Sequence, residues 1–240
     1  MSKTVFLTFG GPSRNYHDAV KRICNEALQF NIFDSIIGLT DLHLKNHANF
    51  YTRHKQFMET NPRGYGYWIW KPYIVQQQLA SMNENDILVY ADAGCVMNIN
   101  GVRRMHEYFE MVNNSEYGIL SFQLEHSEKT WSKMDLIEYL GVHEHSNTNQ
   151  CISGVFIIRK CKHTTDLVNK WYETCCNYDL ISDTPSVSKN DDSFIEHRHD
   201  QSVLSLLLKK HGSIIIDDET YFVNWNDGID SPILAMRMRG

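Results

Sequence analysis

The chain is notable first for the motifs that it does not carry. It has no Walker phosphate loop and no Gly-x-Gly-x-x-Gly fingerprint, so the two commonest phosphate-cradling turns are excluded. No apolar run approaches the roughly 18 residues of a membrane span. The start, Met-Ser-Lys-Thr-Val-Phe-Leu-Thr-Phe, is too short for a secretion signal and reads as a first strand. Excess basic charge is absent. The net charge of -6 argues against a general nucleic-acid surface. The six cysteines, at 24, 95, 151, 161, 175 and 176, lack the spacing of a zinc knuckle or a redox pair. Reduced, partly buried thiols in a cytoplasmic setting are expected. Neither internal repeats nor a convincing linker interrupt the chain, so one domain over residues 1–240 is expected.

What is present is an alternation of strands and helices. Residues 3–9 read as a strand, Gly10-Gly11-Pro12 breaks it, and Ser13 or Asn15 caps a helix with Val20, Ile23, Cys24, Ala27 and Leu28 on one side. Residues 33–39 read as a second strand, and this βαβ opening implies a parallel sheet. Pro72 marks a helix start, followed by a stripe of Val75, Leu79 and Met82. Further strands are expected at 86–91, 117–122, 152–159 and 213–216. Helices are expected at 101–112, 133–140 (capped by Gly141), from about 160 to 178, and at 200–211. Residues 143–151 read as a loop. Residues 182–198, rich in Ser, Asp and Lys, read as a mobile lid.

The densest chemistry lies in Asp86-Ile-Leu-Val-Tyr-Ala-Asp92-Ala93-Gly94. A buried strand delivers a carboxylate and then a glycine to its C-terminal edge, where open α/β sheets bind ligands. Mn²⁺ or Mg²⁺ takes carboxylate oxygen there and bridges to phosphate. Asp also caps turns, so a structural reading of Asp92 stands beside the functional one. Asp200 is in phase with Val203, Leu204, Leu207 and Leu208, facing inward at a helix start. It is either a plain cap or a group that works on a sugar, and one role does not exclude the other. His199 adjoins it and is the best placed of the histidines to ligate a metal. Lys71, between Trp70 and Pro72, is a cation where the helix dipole disfavours one, which points to pairing with phosphate or a site carboxylate. Thr8-Phe9-Gly10 ends strand one at the same edge, with Arg14 just beyond. Ser153-Gly154 opens a strand with small residues that permit close approach of a ligand. Arg237 and Arg239 could clamp a diphosphate, or form a solvated tail.

In this order, Trp-Ile-Trp-Lys71-Pro, Tyr-Ala-Asp92-Ala-Gly94, Ile-Ser153-Gly154-Val-Phe and His199-Asp200-Gln201 resemble the GT-A glycosyltransferases. The subtype resembles small stand-alone transferases of bacterial polysaccharide clusters and large DNA viruses. The resemblance implies a single GT-A-like, Rossmann-like α/β domain with a mostly parallel central sheet flanked by helices. It also implies transfer of a sugar from a nucleoside-diphosphate-sugar, UDP by frequency in the superfamily, to a hydroxyl of a glycan or other acceptor. The nucleotide is then expected against Thr8, Phe9 and Gly10. The diphosphate and its Mn²⁺ or Mg²⁺ are expected at Asp92, Ala93 and Gly94, with Lys71, Arg14, Arg237 and Arg239 assisting. Ser153 and Gly154 would line the sugars. Asp200 would be the general base of an inverting reaction or would orient a sugar in a retaining one.

One departure bears on the metal. The usual Asp-x-Asp is here Asp92-Ala93-Gly94, which leaves Asp92 as the one ligand on the turn and His199 as the expected second, or else a reaction that needs metal only weakly. Two other readings follow from the residues. The lost carboxylate allows a non-catalytic nucleotide-sugar or carbohydrate-binding module. The lone Asp at a strand end also allows a metal-dependent phosphohydrolase, which would prefer several clustered carboxylates.

Overall fold

The computed structural model describes residues 2–238. Among these residues, nine strands run in chain order as β1 (Thr4–Gly10), β2 (Ser35–Thr40), β3 (Ile87–Ala91), β4 (Val96–Met97), β5 (Ile119–Ser127), β6 (Asn149–Cys151), β7 (Val155–Arg159), β8 (Ile214–Asp217) and β9 (Ile233–Leu234). The main sheet has the order β2-β1-β3-β7-β5-β6, with β8 also paired to β5. β1, β2 and β3 are mutually parallel, β7 reverses, β5 reverses again, and β8 runs with β5. Five of the seven strands therefore share one direction, and the sheet is mostly parallel.

Alternation explains why helices cover both faces. Leu88 and Tyr90 of β3 join one core with Val75, Leu79, Trp171 and Leu207. Ile87, Val89 and Ala91 join the other with Ile23, Ala27, Met105 and Phe109. β3 is buried along its whole length, which is why it reads as an unbroken apolar run. Ser13 caps the helix Arg14–Gln29 by accepting from the Tyr16 N–H, and Gly141 ends Met134–Leu140 in the left-handed conformation. Among the described residues, no helix is long and apolar enough to cross a membrane.

Four features depart from the sequence reading. The expected loop 143–151 ends in β6, a strand too short to show a period. β4 and β9 form a second, two-stranded sheet that brings the C-terminal segment beside the Asp92 turn. The helix Asp200–His211 is buried all round rather than along one stripe. Its Ser202 and Ser205 are satisfied inside by the Trp131 carbonyl and Glu128. Segment 182–198 is irregular, as expected, but it is tied down. Ile195 and Arg198 donate to the Thr130 and Trp131 carbonyls. Asp135 accepts from the N–H groups of Val187 and Ser188, and Asn190 accepts from Met134. So many anchors make this segment a strap rather than a lid.

Candidate active site

The site forms because β7 is antiparallel. Parallel strands end at one sheet edge, and a reversed neighbour begins there. Ala91 pairs with Val155, and the Asp92 N–H donates to the Gly154 carbonyl at 2.8 Å. The C-terminal end of β3 and the start of β7 are thus side by side. The helices Trp70–Ser81 and Asp200–His211 start at this same edge and bring Lys71 and Asp200 to it.

Lys71 is the centre. Its ammonium lies 3.1 Å from Asp92 Oδ1 and 3.4 Å from Asp200 Oδ2. It also donates to the carbonyl and hydroxyl of Ser153, at 3.3 and 3.4 Å. Burial alone would pull this ammonium down, but the Asp200 and Asp92 carboxylates outweigh it and hold its pKa above the ordinary value. Asp200 receives the Ser153 hydroxyl at 2.9 Å, and its backbone carbonyl accepts the Trp171 indole at 3.0 Å. Burial pushes the Asp200 carboxyl up to about 6 against the pull of Lys71. Tyr90 stands two residues before Asp92 on the same face of the strand and donates its phenol to Asp92 Oδ1 at 2.7 Å. Burial, then the Asp92 charge, push that phenol well up, so it stays a donor.

The two carboxylates differ in access. The Asp92 side chain is 38% exposed and that of Asp200 4%. A Cβ on Gly154 would come within 3.1 Å of Asp92 Oδ2, so glycine there keeps this outer oxygen clear. Two acids around one ammonium leave the cluster with one net negative charge, and its open side is Asp92 Oδ2.

A divalent cation was expected at Asp92. Among the described residues, no three His, Cys, Asp or Glu groups converge as a metal cage. Asp92 Oδ1 is committed to Tyr90 and Lys71, which leaves Oδ2. One carboxylate oxygen fits an ion that arrives with a diphosphate, since Mg²⁺ is commonly held by one or two carboxylates plus substrate phosphates. His199 is not the second ligand in this arrangement. Its Nδ1 lies 2.7 Å from the Ile181 carbonyl, and its buried Nε2 has Asp183 at 3.7 Å and no hydrogen-bond partner. The ring stacks on Tyr67 and Trp68 instead, and burial pulls its pKa down to about 4.

Those two aromatics belong to the least ordinary backbone in the chain. Gly64, Tyr65, Gly66, Tyr67 and Trp68 all have positive φ, a left-handed turn of five residues. Each non-glycine residue there costs about 1–2 kcal/mol. His199, stacked on it, also has positive φ. The glycines at 64 and 66 hinted at a special loop, but no periodicity announces a left-handed turn. The turn leads directly into the helix that carries Lys71.

The other expected residues divide. Ala93 and Gly94 form the turn, and a Cβ on Gly94 would lie 3.4 Å from the Arg237 Cα, so Arg237 sits over it. Arg239 lies outside the described residues. Thr8 is fully buried, with its hydroxyl unpartnered. Phe9 is buried and stacks on Trp70 at 3.9 Å, which makes it core. Gly10 serves packing, because a Cβ there would meet the Tyr16 carbonyl oxygen at 2.6 Å. Arg14 is solvated, 93% exposed and 3.7 Å from Asp18. Two contributors stand in the quoted motifs but were given no role of their own. Tyr90 was signalled by a lone phenol two before Asp92. Gln201 accepts the Ser153 N–H at 3.4 Å, and only tertiary structure brings it there.

Known structures share this architecture. A glycosyltransferase involved in the glycosylation of the major capsid of PBCV-1 superposes with a TM-score of 0.52 at 10% identity, over 98% of this chain and 92% of its own. The bifunctional glycosyltransferase WbbM gives 0.50 at 11% identity, over 96% of this chain and 41% of its own. The chain has a GT-A-like fold. No family model matches the sequence, and a search of curated proteins finds no match. On a GT-A-like fold, the turn at Asp92 occupies the C-terminal sheet edge where ligands of α/β sheets bind.

Proposed function

We propose that the protein transfers a sugar from a nucleoside-diphosphate-sugar, with UDP the expected nucleotide, to a hydroxyl of a glycan or other acceptor. One observation carries this reading: the buried Lys71 ammonium shared by Asp92 and Asp200 at the end of β3, on a fold used by glycosyltransferases. In the transfer, the acceptor oxygen bonds to the anomeric carbon as the bond from that carbon to the diphosphate breaks. The electron pair leaves on the diphosphate, and the hydroxyl proton passes to it or to solvent.

Asp92 is the catalytic residue, since its outer oxygen is open to the donor. A Mn²⁺ or Mg²⁺ ion, when bound, would offset charge on the leaving diphosphate, and Asp92 Oδ2 would hold it. Tyr90 and Lys71 fix the inner oxygen and so fix the direction of the outer one. Arg237, exposed beside Gly94, is placed to meet a phosphate. Asp200 had two expected roles, base or orienting group. Its burial beneath Lys71 suits the orienting one, and we assign it to positioning. Ser153 works with it, and Gly154 gives the donor room. The six free thiols suit a reducing, cytoplasmic setting.

The test is a thermal-shift screen of nucleoside diphosphates and nucleotide-sugars with and without Mn²⁺, followed by a transfer assay with the stabilising donor. Stabilisation by one nucleotide that requires Mn²⁺, together with transfer, is expected. Stabilisation without turnover would favour the binding module. Release of inorganic phosphate without transfer would favour the phosphohydrolase. No shift with any nucleotide overturns the proposal.

A further inference from the structure

The Asp92 turn is gripped from behind by one side chain that belongs to no part of the site described so far. Arg22, on the helix Arg14–Gln29, points one guanidinium nitrogen at three carbonyls. They are Ala93 at 2.8 Å, Cys95 at 2.9 Å and Met238 at 3.4 Å. Its other terminal nitrogen donates to Glu26 at 2.8 Å, and Glu26 accepts the Met97 N–H at 2.9 Å. Between the two gripped turn carbonyls, the Gly94 carbonyl accepts the Met238 N–H at 2.8 Å. Three successive carbonyls of the turn are therefore claimed, two by Arg22 and one by the C-terminal tail, and Arg22 also reaches the tail.

Arg22 Nε is buried with no hydrogen-bond partner. An orphaned buried donor is costly, and a Met at this position would avoid it. The fork geometry offsets that cost: one guanidinium nitrogen meets the carbonyls while the other holds Glu26, and a lysine has a single nitrogen for both places. The tail is held in parallel by β9 against β4 and by Ala235 N–H to the Thr220 carbonyl. Its last described stretch, Arg237 and Met238, depends on Gly94 and Arg22.

We propose that Arg22 is a positioning residue of the donor site, coupling the docking of the C-terminal tail to the shape of the Asp92-Ala93-Gly94 turn. Without the grip, the Ala93 and Cys95 carbonyls lose their donor, and the end of the tail keeps only the Met238 N–H bond to Gly94. Asp92 keeps its own bonds to Gly154 and Cys95, but the turn after it loosens and Arg237 leaves the rim. The functional half of this inference rests on the donor-site reading above; the coupling itself does not.

The test compares the full chain with Arg22→Met, Arg22→Lys, Met238→Pro and the combination Arg22→Met with Met238→Pro. Met238→Pro removes the N–H that Gly94 accepts. Amide exchange is followed in peptides spanning 92–97 and 233–238, and UDP affinity is measured with Mn²⁺. In Arg22→Met both peptides should exchange about tenfold faster, and UDP should bind about tenfold more weakly, with the combined variant no weaker than either single change. Arg22→Lys should fail to rescue, since one ammonium cannot hold Glu26 and the carbonyls together; full rescue by lysine would show that the bridge from Glu26 to the turn is not needed and overturn the proposal. Unchanged exchange at either peptide in Arg22→Met overturns it too, as do multiplicative losses of affinity. If the full chain does not bind UDP, the donor reading loses support, and the exchange measurement alone still decides the coupling.

Discussion

Two buried ion clusters share this molecule, about one helix apart, and they are built to opposite designs. In one, Glu128 is fully buried and meets Lys209 at 2.6 Å, Ser205 at 2.5 Å and Ser132 at 2.8 Å. Charges balance, each carboxylate oxygen has a donor, and Lys209 is 7% exposed. In the other, Lys71 serves two carboxylates, one of which opens to solvent. The closed cluster is complete without any ligand. The open one carries an excess negative charge and a free oxygen, so a bound group would complete it. A satisfied network rigidifies a core, whereas an unbalanced one at a sheet edge marks a site.

Breaking the open cluster at its centre should do the most damage. Lys71→Met leaves two carboxylates to repel each other, one of them buried. It should abolish transfer and cost about 3–5 kcal/mol of stability, read by denaturant unfolding beside the transfer assay. The closed cluster should lose a similar stability and nothing else. Glu128→Gln strands the Lys209 charge and should cost about 3–5 kcal/mol, while the folded protein keeps its KM and kcat. A fall in kcat there would erase the distinction between the clusters. Asp92→Asn should reverse the pattern. Transfer should drop about 100-fold, about 2.7 kcal/mol of barrier, with the melting temperature nearly unchanged. A large loss of stability would instead make Asp92 a structural cap.

The smallest effect is with pH, and its sign is specific to the open cluster. Burial raises the Asp200 pKa to about 6, above its unfolded value. The folded chain then holds a proton that the unfolded chain has released, so the Asp200 contribution to stability is complete below the unfolded pKa and fades as pH rises through about 6. Transfer should move the other way. It needs ionised Asp200 to hold Lys71, so kcat/KM should climb toward a plateau above about 6. Asp200→Asn should remove both trends. A stability profile identical in wild type and variant would show that the carboxyl does not titrate there.

Much of this comparison was legible from residues, and what was not has identifiable causes. β1, β3 and the helix Asp200–His211 were readable as elements from their apolar residues, although the helix is buried well beyond the stripe its period marks. β4, β6 and β9 are two or three residues long and exist only through their partners. In the site, Lys71, Asp92, Ser153 and Asp200 converge as their positions at element ends suggested. Phe9 and Gly10 sit at the right edge but serve packing, because a strand end has two faces and sequence does not say which one meets the ligand. The position of His199 beside Asp200 suggested a shared role, yet its left-handed backbone aims the ring at Tyr67 and Trp68. The Glu128 cluster was invisible, since Ser205 and Lys209 reach Glu128 from a helix far along the chain.

The left-handed turn has a consequence for the order of folding. A turn that is uphill by itself cannot seed structure; it persists only when something distant holds it. Here the local hydrogen bonds of the turn are joined by a distant partner, the stacked ring of His199, itself at positive φ and more than a hundred positions further along the chain. Each segment gains its stacking partner only when the other is in place, so the wall beside Lys71 and Asp200 should close in a late, concerted step. Substitutions at Tyr67 and His199 should then speed unfolding and leave the refolding rate unchanged. A slowed refolding rate would place the turn in the nucleus instead. With late closure, a newly made chain would hold its full sheet before it held a working site.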